Sequence, residues 1–344
     1  MIPIFRKLRK QMAADNRPMQ YLRYAIGEIV LVVIGILIAL QINNWNEVQK
    51  VKAKTRTVFI EILKDLDKDI LQVNENIDHL EEKDSLLDRV LSKVVTAKEI
   101  LSMGKYRSLI TSYTTTTINT KGYESLMELT SNLPDDSYRD EIEQIKSLYE
   151  VTKINLDRSG NAVASFSKKT MEKYSDNYAW FSAYENPQKE EIAFFLNNPF
   201  YLNDAYTYRI YSTGNYLRDL YVFKYDAALC YQAIHKTLAL TDTLPKYIGF
   251  VLPTQPKVWN KFLGHYKMEG TNQDKRVEFK QMDNNMYESS GSRFLMISEN
   301  TFISMYGKRK TYVFELDENH TAKGFNVLKN KVIIQHWKKY EEIK

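Results

Sequence analysis

Residues 24–42 read YAIGEIVLVVIGILIALQI, and only Glu28 and Gln41 in this stretch are polar. A helix of these nineteen residues is about 28 Å long, close to the roughly 30 Å hydrocarbon core of a bilayer. No other part of the sequence has a comparable apolar run. The segment therefore predicts one transmembrane helix and makes the lipid bilayer the first expected partner of the chain.

The flanks of this span predict its orientation. Residues 1–23 form a basic leader with six Lys or Arg residues against Asp15 alone, whereas the first fifteen residues after the span carry four basic residues. The positive-inside rule then keeps the leader in the cytoplasm and exports the long C-terminal part. Tyr21, Tyr24 and Trp45 lie where the two interfacial aromatic belts belong, so we expect them to anchor the helix ends.

A cleaved signal peptide is the alternative to a transmembrane anchor, because the uninterrupted apolar core from Ile29 to Leu40 is only twelve residues long. The flanking sequence argues against cleavage. No small-x-small site follows Leu40, and the segment continues through Ile42 to Trp45 without a break. We therefore expect an uncleaved signal anchor.

Glu28 is the ionisable residue of the span, and Gly35 and Ala39 follow it by seven and eleven residues, on the same helical face. Small residues let a second helix approach closely, and an intramembrane carboxylate is costly to bury. One hypothesis is a proton or ion site shared with a partner membrane protein. The other is that Glu28 reaches the headgroups or is protonated against a neighbouring helix. Either way, this face is the predicted helix contact.

The composition narrows the class of protein. The chain has 344 residues and a net charge of +5, and nothing in this balance points to nucleic acid. Cys230 is the one cysteine, so the exported part is not held together by intramolecular disulfides. The 24 tyrosines and 15 phenylalanines supply much of the core, and the low numbers of Gly (12) and Pro (8) favour long helices.

An apolar seam at alternating intervals of four and three predicts a long helix directly after Trp45. No Pro or Gly separates it from the span, so the two are expected to form one continuous helix. Charged residues fill the other faces. The seam consists of Phe59, Leu63, Leu66, Ile70, Val73, Ile77 and Leu80, then Leu87, Leu91 and Val94.

The same period predicts two further long helices, from about Tyr138 to Trp180 and from about Pro199 to Leu240. Shorter helices are predicted for Gly104 to Tyr113, Lys121 to Ser131 and Pro187 to Leu196. Residues 43–251 are therefore expected to form an exported, elongated antiparallel helical bundle. A homo-oligomeric coiled coil is the alternative, because a seam does not identify its partner.

The string YAIGEIVLVVIGILIALQINNWNE at 24–47, preceded by FRKLRKQM, resembles the signature of an uncharacterised family of single-pass proteins from Bacteroidetes. The later KGYESLMELTSNL at 121–133 is similar to a second recurrent stretch of that family. The resemblance implies an inner-membrane anchor with a periplasmic domain. It implies no activity and no catalytic residues, because the family is a domain of unknown function.

Residues 258–344 change character and predict a small antiparallel β meander or barrel. Apolar residues alternate with polar ones in short segments separated by turn sequences at about ten-residue spacing. The opening LGHYKMEG at 263–270 is similar to the start of small lipocalin-like barrels. Eight short strands favour a packed interior over a ligand cavity. The alternating residues are Val277, Phe279, Tyr312, Phe314, Leu316, Phe325, Val327, Val332 and Ile334.

A search for catalytic or metal-binding chemistry finds no motif, so no enzyme activity and no cofactor are predicted. The five histidines are scattered, and none lies at the spacing of a zinc site. His235 and Cys230 are five residues apart on a helix and do not face each other well, and a buried cysteine is usually a packing residue. Eight tyrosines between 201 and 231 line either a carbohydrate or peptide groove or, as we prefer, the core and rim of the bundle.

These features predict a mainly α protein of the bacterial inner membrane whose periplasmic part binds a protein partner, a second copy of itself or a ligand, without catalysis. Because the predicted cytoplasmic leader has 23 residues, we expect any signalling to need a second protein. An accessory subunit of an ion-coupled membrane complex that uses Glu28 is the alternative. An unrecognised periplasmic hydrolase is the third.

Overall fold

The predicted span and the predicted seam form one helix. In the computed structural model, α1 runs over Pro18–Leu91 without interruption. Its first described residue is Pro18, and it ends before Lys93, which has left-handed φ of 56°. The structure describes residues 18–102, 104–131, 133, 137–182, 189–249, 259–271, 273–282, 285–289, 293–304, 310–329 and 332–340.

The described chain then continues through further helices. They are α2 (Ala97–Ser102), α3 (Gly104–Arg107), α4 (Lys121–Thr130), α5 (Arg139–Ser147), a first π segment (Leu148–Thr152), α6 (Lys153–Asn177), a 3₁₀ turn (Ala179–Ser182), α7 (Lys189–Asn197), α8 (Pro199–Arg209), a second π segment (Ile210–Tyr216), α9 (Leu217–Thr237) and α10 (Lys246–Gly249). We call α5 to α6 the second long helix and α8 to α9 the third long helix.

Internal contacts divide the chain into two units. One contains the N-terminal helix as far as Val58 together with Ser125–Ser137, and the other contains Phe59–Glu124 and Tyr138–Lys344. In the second unit the seam of α1 from Phe59 to Leu80 and Leu87 is buried. The chain's own long helices cover this seam: the Phe59 ring contacts Tyr138 at 5.3 Å, and Tyr221 donates to Glu81.

The three long helices of the second unit do not simply alternate in direction. The third is antiparallel to α1, since Arg209 pairs with Asp88 and Tyr247, beyond its end, reaches Asp67. It is also antiparallel to the second long helix. Because α1 and the second long helix both oppose the third, they run parallel to each other, joined by the long crossover that contains α2 to α4.

Two helix predictions are longer than the helices observed. Val94 was placed on the first seam, but α1 ends at Leu91 and Val94 is exposed. The helix expected over Gly104 to Tyr113 ends at Arg107. The carbonyl of Ser112 accepts hydrogen bonds from Lys83 and Tyr208, so it serves a long-range contact rather than a helical turn.

The predicted C-terminal barrel is confirmed. Eight antiparallel strands pair in chain order and close by β1 against β8. Its interior is filled by rings, including Phe262, Tyr266, Phe279 and Phe314, whose centroids lie 5.0 to 5.9 Å apart. The strands are β1 (Gly264–Met268), β2 (Arg276–Met282), β3 (Asn285–Glu288), β4 (Arg293–Ser298), β5 (Thr301–Ser304), β6 (Thr311–Leu316), β7 (Ala322–Lys329) and β8 (Val332–Tyr340).

One part of the β pattern was misleading. Val332 and Ile334 belong to the alternation that predicts core positions, yet both are exposed, as is Ile333 between them. The start of β8 pairs only with the end of β7, because β1 already ends at Met268 opposite Trp337. These residues therefore lie past the part of the barrel that has a filled interior.

Candidate functional site

The sequence-predicted membrane residues all lie on α1. Apolar side chains from Ile29 to Ile42 are about half exposed, as a lipid-facing helix requires, and this helix is long and apolar enough to cross a membrane. A side chain added at Gly35 would meet nothing within 4 Å. Glu28 is partly exposed, and Ala39 and Trp45 are exposed, while the side chains of Tyr21 and Tyr24 lie outside the described residues. The helix contact and the aromatic anchors stay predictions.

A groove between the second and third long helices is the concave feature that we consider the candidate site. Each helix contains a π segment, and each π segment packs on the other helix. A π segment widens one turn and interrupts regular i to i+4 hydrogen bonding, which separates the neighbouring backbones locally, and such segments are frequent at functional sites. The groove has a volume of about 670 Å³, within the size range of small-ligand sites.

The side-chain contacts fix how the two walls align. The Thr152 hydroxyl donates to Asp226 at 2.8 Å at one end, and the Phe166 ring contacts Tyr211 at 5.7 Å at the other. Between them, Gly160 packs on the Tyr216 ring so closely that a Cβ there would lie 3.1 Å from the ring. The helices are thus antiparallel and in direct contact beneath the groove.

Charged and amide side chains line both walls. Arg218 Nε donates to Asp219 Oδ1 at 2.9 Å, Nη2 forms an ion pair with the same oxygen at 2.9 Å, and Asp219 is buried. Arg158 on the facing wall is exposed. The floor and rim also have apolar members. The lining residues are Ser147, Val151, Thr152, Asn155, Arg158, Ser159, Ala162, Tyr211, Asn215, Arg218, Asp219, Val222 and Asp226.

A second polar feature surrounds the buried side chain of Lys83 and reaches the surface at Ser112. The Lys83 ammonium donates to the Ser112 carbonyl, to Ser112 Oγ at 3.1 Å and to the Tyr208 hydroxyl at 2.9 Å. Burial lowers the pKa of Lys83 to about 8. All three donors of the ammonium are used, so we interpret this cluster as a structural tie between α1, the crossover and the third long helix.

A third feature joins α1 to the start of α4. Asp69 accepts hydrogen bonds from the backbone and side-chain nitrogens of Asn119, and Asp65 accepts from the backbone nitrogen of Gly122 at 3.2 Å. A Cβ at Gly122 would lie 2.8 Å from Cγ1 of Ile62 and 3.1 Å from its backbone nitrogen. The crossover therefore packs on α1 in two ways. The α1 carboxylates lie at the N-terminal end of α4, and Gly122 allows α4 to approach α1 closely.

Residues 28–150 match the Family of unknown function (DUF6090). No curated protein and no solved structure matches the chain. The resemblance to an uncharacterised family is thus confirmed as far as a domain of unknown function. Its Bacteroidetes origin stays a prediction.

The DUF6090 match covers about a third of the chain, with residues 28–47 of the first stretch on which the resemblance rests and all of the second, 121–133. The Asp65 and Asp69 contacts with Asn119 and Gly122 lie wholly inside it, so the DUF6090 region contains the docking of α1 on α4. The groove lies almost wholly outside it, because Ser147 is the one lining residue within the matched region.

Other sequence candidates are packing residues. Cys230 is buried, and burial raises the pKa of its thiol, while His235 contacts Asp242 at 3.1 Å. Among the described residues no group of acidic, His and Cys side chains could hold a metal ion. Most of the tyrosine cluster is core, with Tyr206 and Tyr211 exposed. The groove itself was missed, because π segments leave no clear mark in an apolar period.

Asp69→Asn should gain stability relative to the wild type as the pH rises from about 4 to about 8. Burial raises the pKa of the Asp69 carboxyl from 3.8 to about 7, so the folded chain keeps a proton that the unfolded chain has lost. Ionisation between these values favours unfolding, and we expect it to cost the wild type about 2–4 kcal/mol. Asparagine keeps an acceptor for Asn119 and does not titrate.

Urea unfolding of the full chain in detergent at several pH values measures this difference. Glu75→Gln, which changes an exposed carboxylate on the same helix, is the control and should track the wild type at every pH. A difference between Asp69→Asn and wild type that does not change with pH would contradict the assignment.

Proposed function

We propose that this chain is a single-pass inner-membrane protein whose exported, non-catalytic domain binds a small polar ligand in the groove between its second and third long helices. The groove is the observation that carries the proposal. It combines a volume of about 670 Å³ with two arginines, two aspartates and two asparagines on facing walls. Concave sites with a few convergent polar groups are the usual form of small-molecule sites.

The membrane topology is part of the same proposal. The basic leader favours a cytoplasmic N-terminus, and the residues from Asn43 onward are then periplasmic. The sequence holds no catalytic motif, which supports binding rather than catalysis. The exposed face with Glu28, Gly35 and Ala39 is the proposed contact for a partner helix or a second copy, and the continuous α1 connects that face to the bundle.

Filling the groove should abolish ligand binding. Ala162 lines the groove, and a tryptophan there would occupy a large part of it, whereas Ser165 is exposed on the same helix outside the lining. We expect Ala162→Trp to lose ligand-induced stabilisation and Ser165→Trp to retain it. A ligand at about one hundred times its Kd stabilises the folded state by about 2.7 kcal/mol, which a thermal melt detects.

The measurement uses the full chain in nanodiscs of neutral lipid, with sugars, amines, amino acids, dicarboxylates and inorganic phosphate as separate probes. Stabilisation of wild type and Ser165→Trp by at least one probe class, lost in Ala162→Trp, supports the proposal. If no probe of any charge class binds, or if binding survives in Ala162→Trp, the groove is not the binding site.

A further inference from the structure

The middle of the groove is positively charged. The contacts of Thr152 with Asp226 and of Gly160 with Tyr216 fix an antiparallel register that places Arg158 opposite Arg218. Both line the groove. Two guanidinium groups on facing walls are an arrangement suited to a planar or tetrahedral oxyanion, because each offers several N–H donors in a fixed plane.

Arg218 is held in place by a buried carboxylate. Its Nε donates to Asp219 Oδ1 at 2.9 Å and its Nη2 lies 2.9 Å from the same oxygen, and the Asp219 side chain is only 11 % exposed. The Arg218 side chain is 34 % exposed and lines the groove, and a guanidinium has further N–H groups beyond those next to Asp219. Asp219 therefore acts as a positioning residue that orients the guanidinium toward a ligand and neutralises its charge.

Arg158 adds a positive charge beside the Arg218–Asp219 ion pair. Within the part of the chain that the structure describes, no carboxylate forms an ion pair with Arg158. Asp226 lies at the end of the groove, where it accepts the Thr152 hydroxyl. The lining as a whole is neutral, with two arginines and two aspartates, but Arg158, Arg218 and Asp219 at the centre sum to +1, and the amides of Asn155 and Asn215 add neutral hydrogen-bond donors.

We infer that the ligand of this groove carries an oxyanion, a carboxylate or a phosphate, bound between Arg158 and Arg218. The inference rests on the proposed function, since it names the ligand chemistry of the same groove. A cationic ligand is disfavoured, because Asp219 is buried under Arg218. Asp226, at the far end, accepts the Thr152 hydroxyl and is not part of the proposed oxyanion contact.

Calorimetric titration of the full chain in neutral-lipid nanodiscs tests this inference, with succinate, inorganic phosphate, putrescine and glucose as probes. We expect one or both anions to bind to the wild type, and to bind at least ten-fold more weakly to Arg158→Gln. Lys169→Gln removes an exposed charge from the same helix outside the groove and should bind as the wild type does. Binding of succinate alone, or of phosphate alone, identifies the source of the oxyanion.

Asp219→Asn tests the positioning role. This variant should weaken anion binding. Arg218→Gln should then weaken binding less in the Asp219→Asn background than in the wild type. The thermal midpoint of Arg158→Gln without ligand should equal that of the wild type. Two results would overturn the oxyanion inference while leaving the groove as a binding site. One is binding of glucose or putrescine without binding of either anion, and the other is an equal loss of anion affinity in Arg158→Gln and Lys169→Gln. No binding of any probe would remove both proposals.

Discussion

A methionine in place of Arg107 is expected to lower the stability of the bundle by about 3–5 kcal/mol. Arg107 Nε donates to Glu191 Oε1 at 2.6 Å, and the two side chains are only 9 % and 3 % exposed. This pair joins α3 to α7, the short helix that packs aromatic residues against Tyr201. Methionine removes the cation and leaves a buried carboxylate whose Oε2 already has no hydrogen-bond partner in the described structure.

Hydrogen exchange of amides in α3 and α7 measures the local cost directly, without requiring a single unfolding transition for the whole chain. The double variant Arg107→Met with Glu191→Met is the matched control. Replacing both charges by apolar side chains of similar length should recover most of the loss, because no charge is then left in the core. If Arg107→Met alone changes exchange by less than about 1 kcal/mol, water reaches Glu191 and the pair is not a buried one.

Gly324→Ala is expected to destabilise the barrel by about 3 kcal/mol or more. Gly324 is buried in β7, opposite Lys338 of β8, and a Cβ there would collide with the backbone carbonyl oxygen of Trp337. A backbone atom cannot move aside as a flexible side chain can, so the strand pair must separate locally. Since β8 also pairs with β1, the closure of the barrel depends on this contact.

The Trp337 ring reports on the change, because it stacks on Phe325 at 5.4 Å. We expect Gly324→Ala to raise amide exchange in β7 and β8 and to shift the tryptophan fluorescence of the barrel to longer wavelength, while α5 to α9 keep their protection. Lys323→Ala, an exposed change at the adjacent position, should leave both readouts unchanged. Wild-type exchange in Gly324→Ala would contradict the close approach.

The parts of the fold that depend on periodicity were predictable from the sequence. Apolar residues from Phe59 to Leu80 recur with the helical period and are buried as expected, and alternation in the C-terminal part correctly indicates a closed barrel. The polar ties were not predictable. Lys83, Asp69 and Arg107 look like members of solvated helix faces, and they are covered by residues distant in sequence: Tyr208, Asn119 and Glu191.

The candidate site was missed for a related reason. Arg158 and Arg218 are sixty residues apart, and their juxtaposition depends on the antiparallel register of two helices that each contain a π segment. Sequence can indicate the helices and their apolar faces, but it does not say which polar positions meet across them. The opposite holds for the membrane helix. The sequence singles out Glu28, Gly35 and Ala39, but the described part of the structure contains no second helix against this face.

The two π segments let each long helix contain an extra residue without turning the helix that follows. Each holds its hydrogen bonds at i to i+5, which accommodates one residue more than a regular α-helix of the same rise. Deletion of one residue within Ile210–Tyr216 would therefore restore a regular turn and leave α9 in its present orientation. In a homologue that lacks this residue, Arg218 would still lie opposite Arg158, and the change would fall on the part of the groove wall that Tyr211 and Asn215 form.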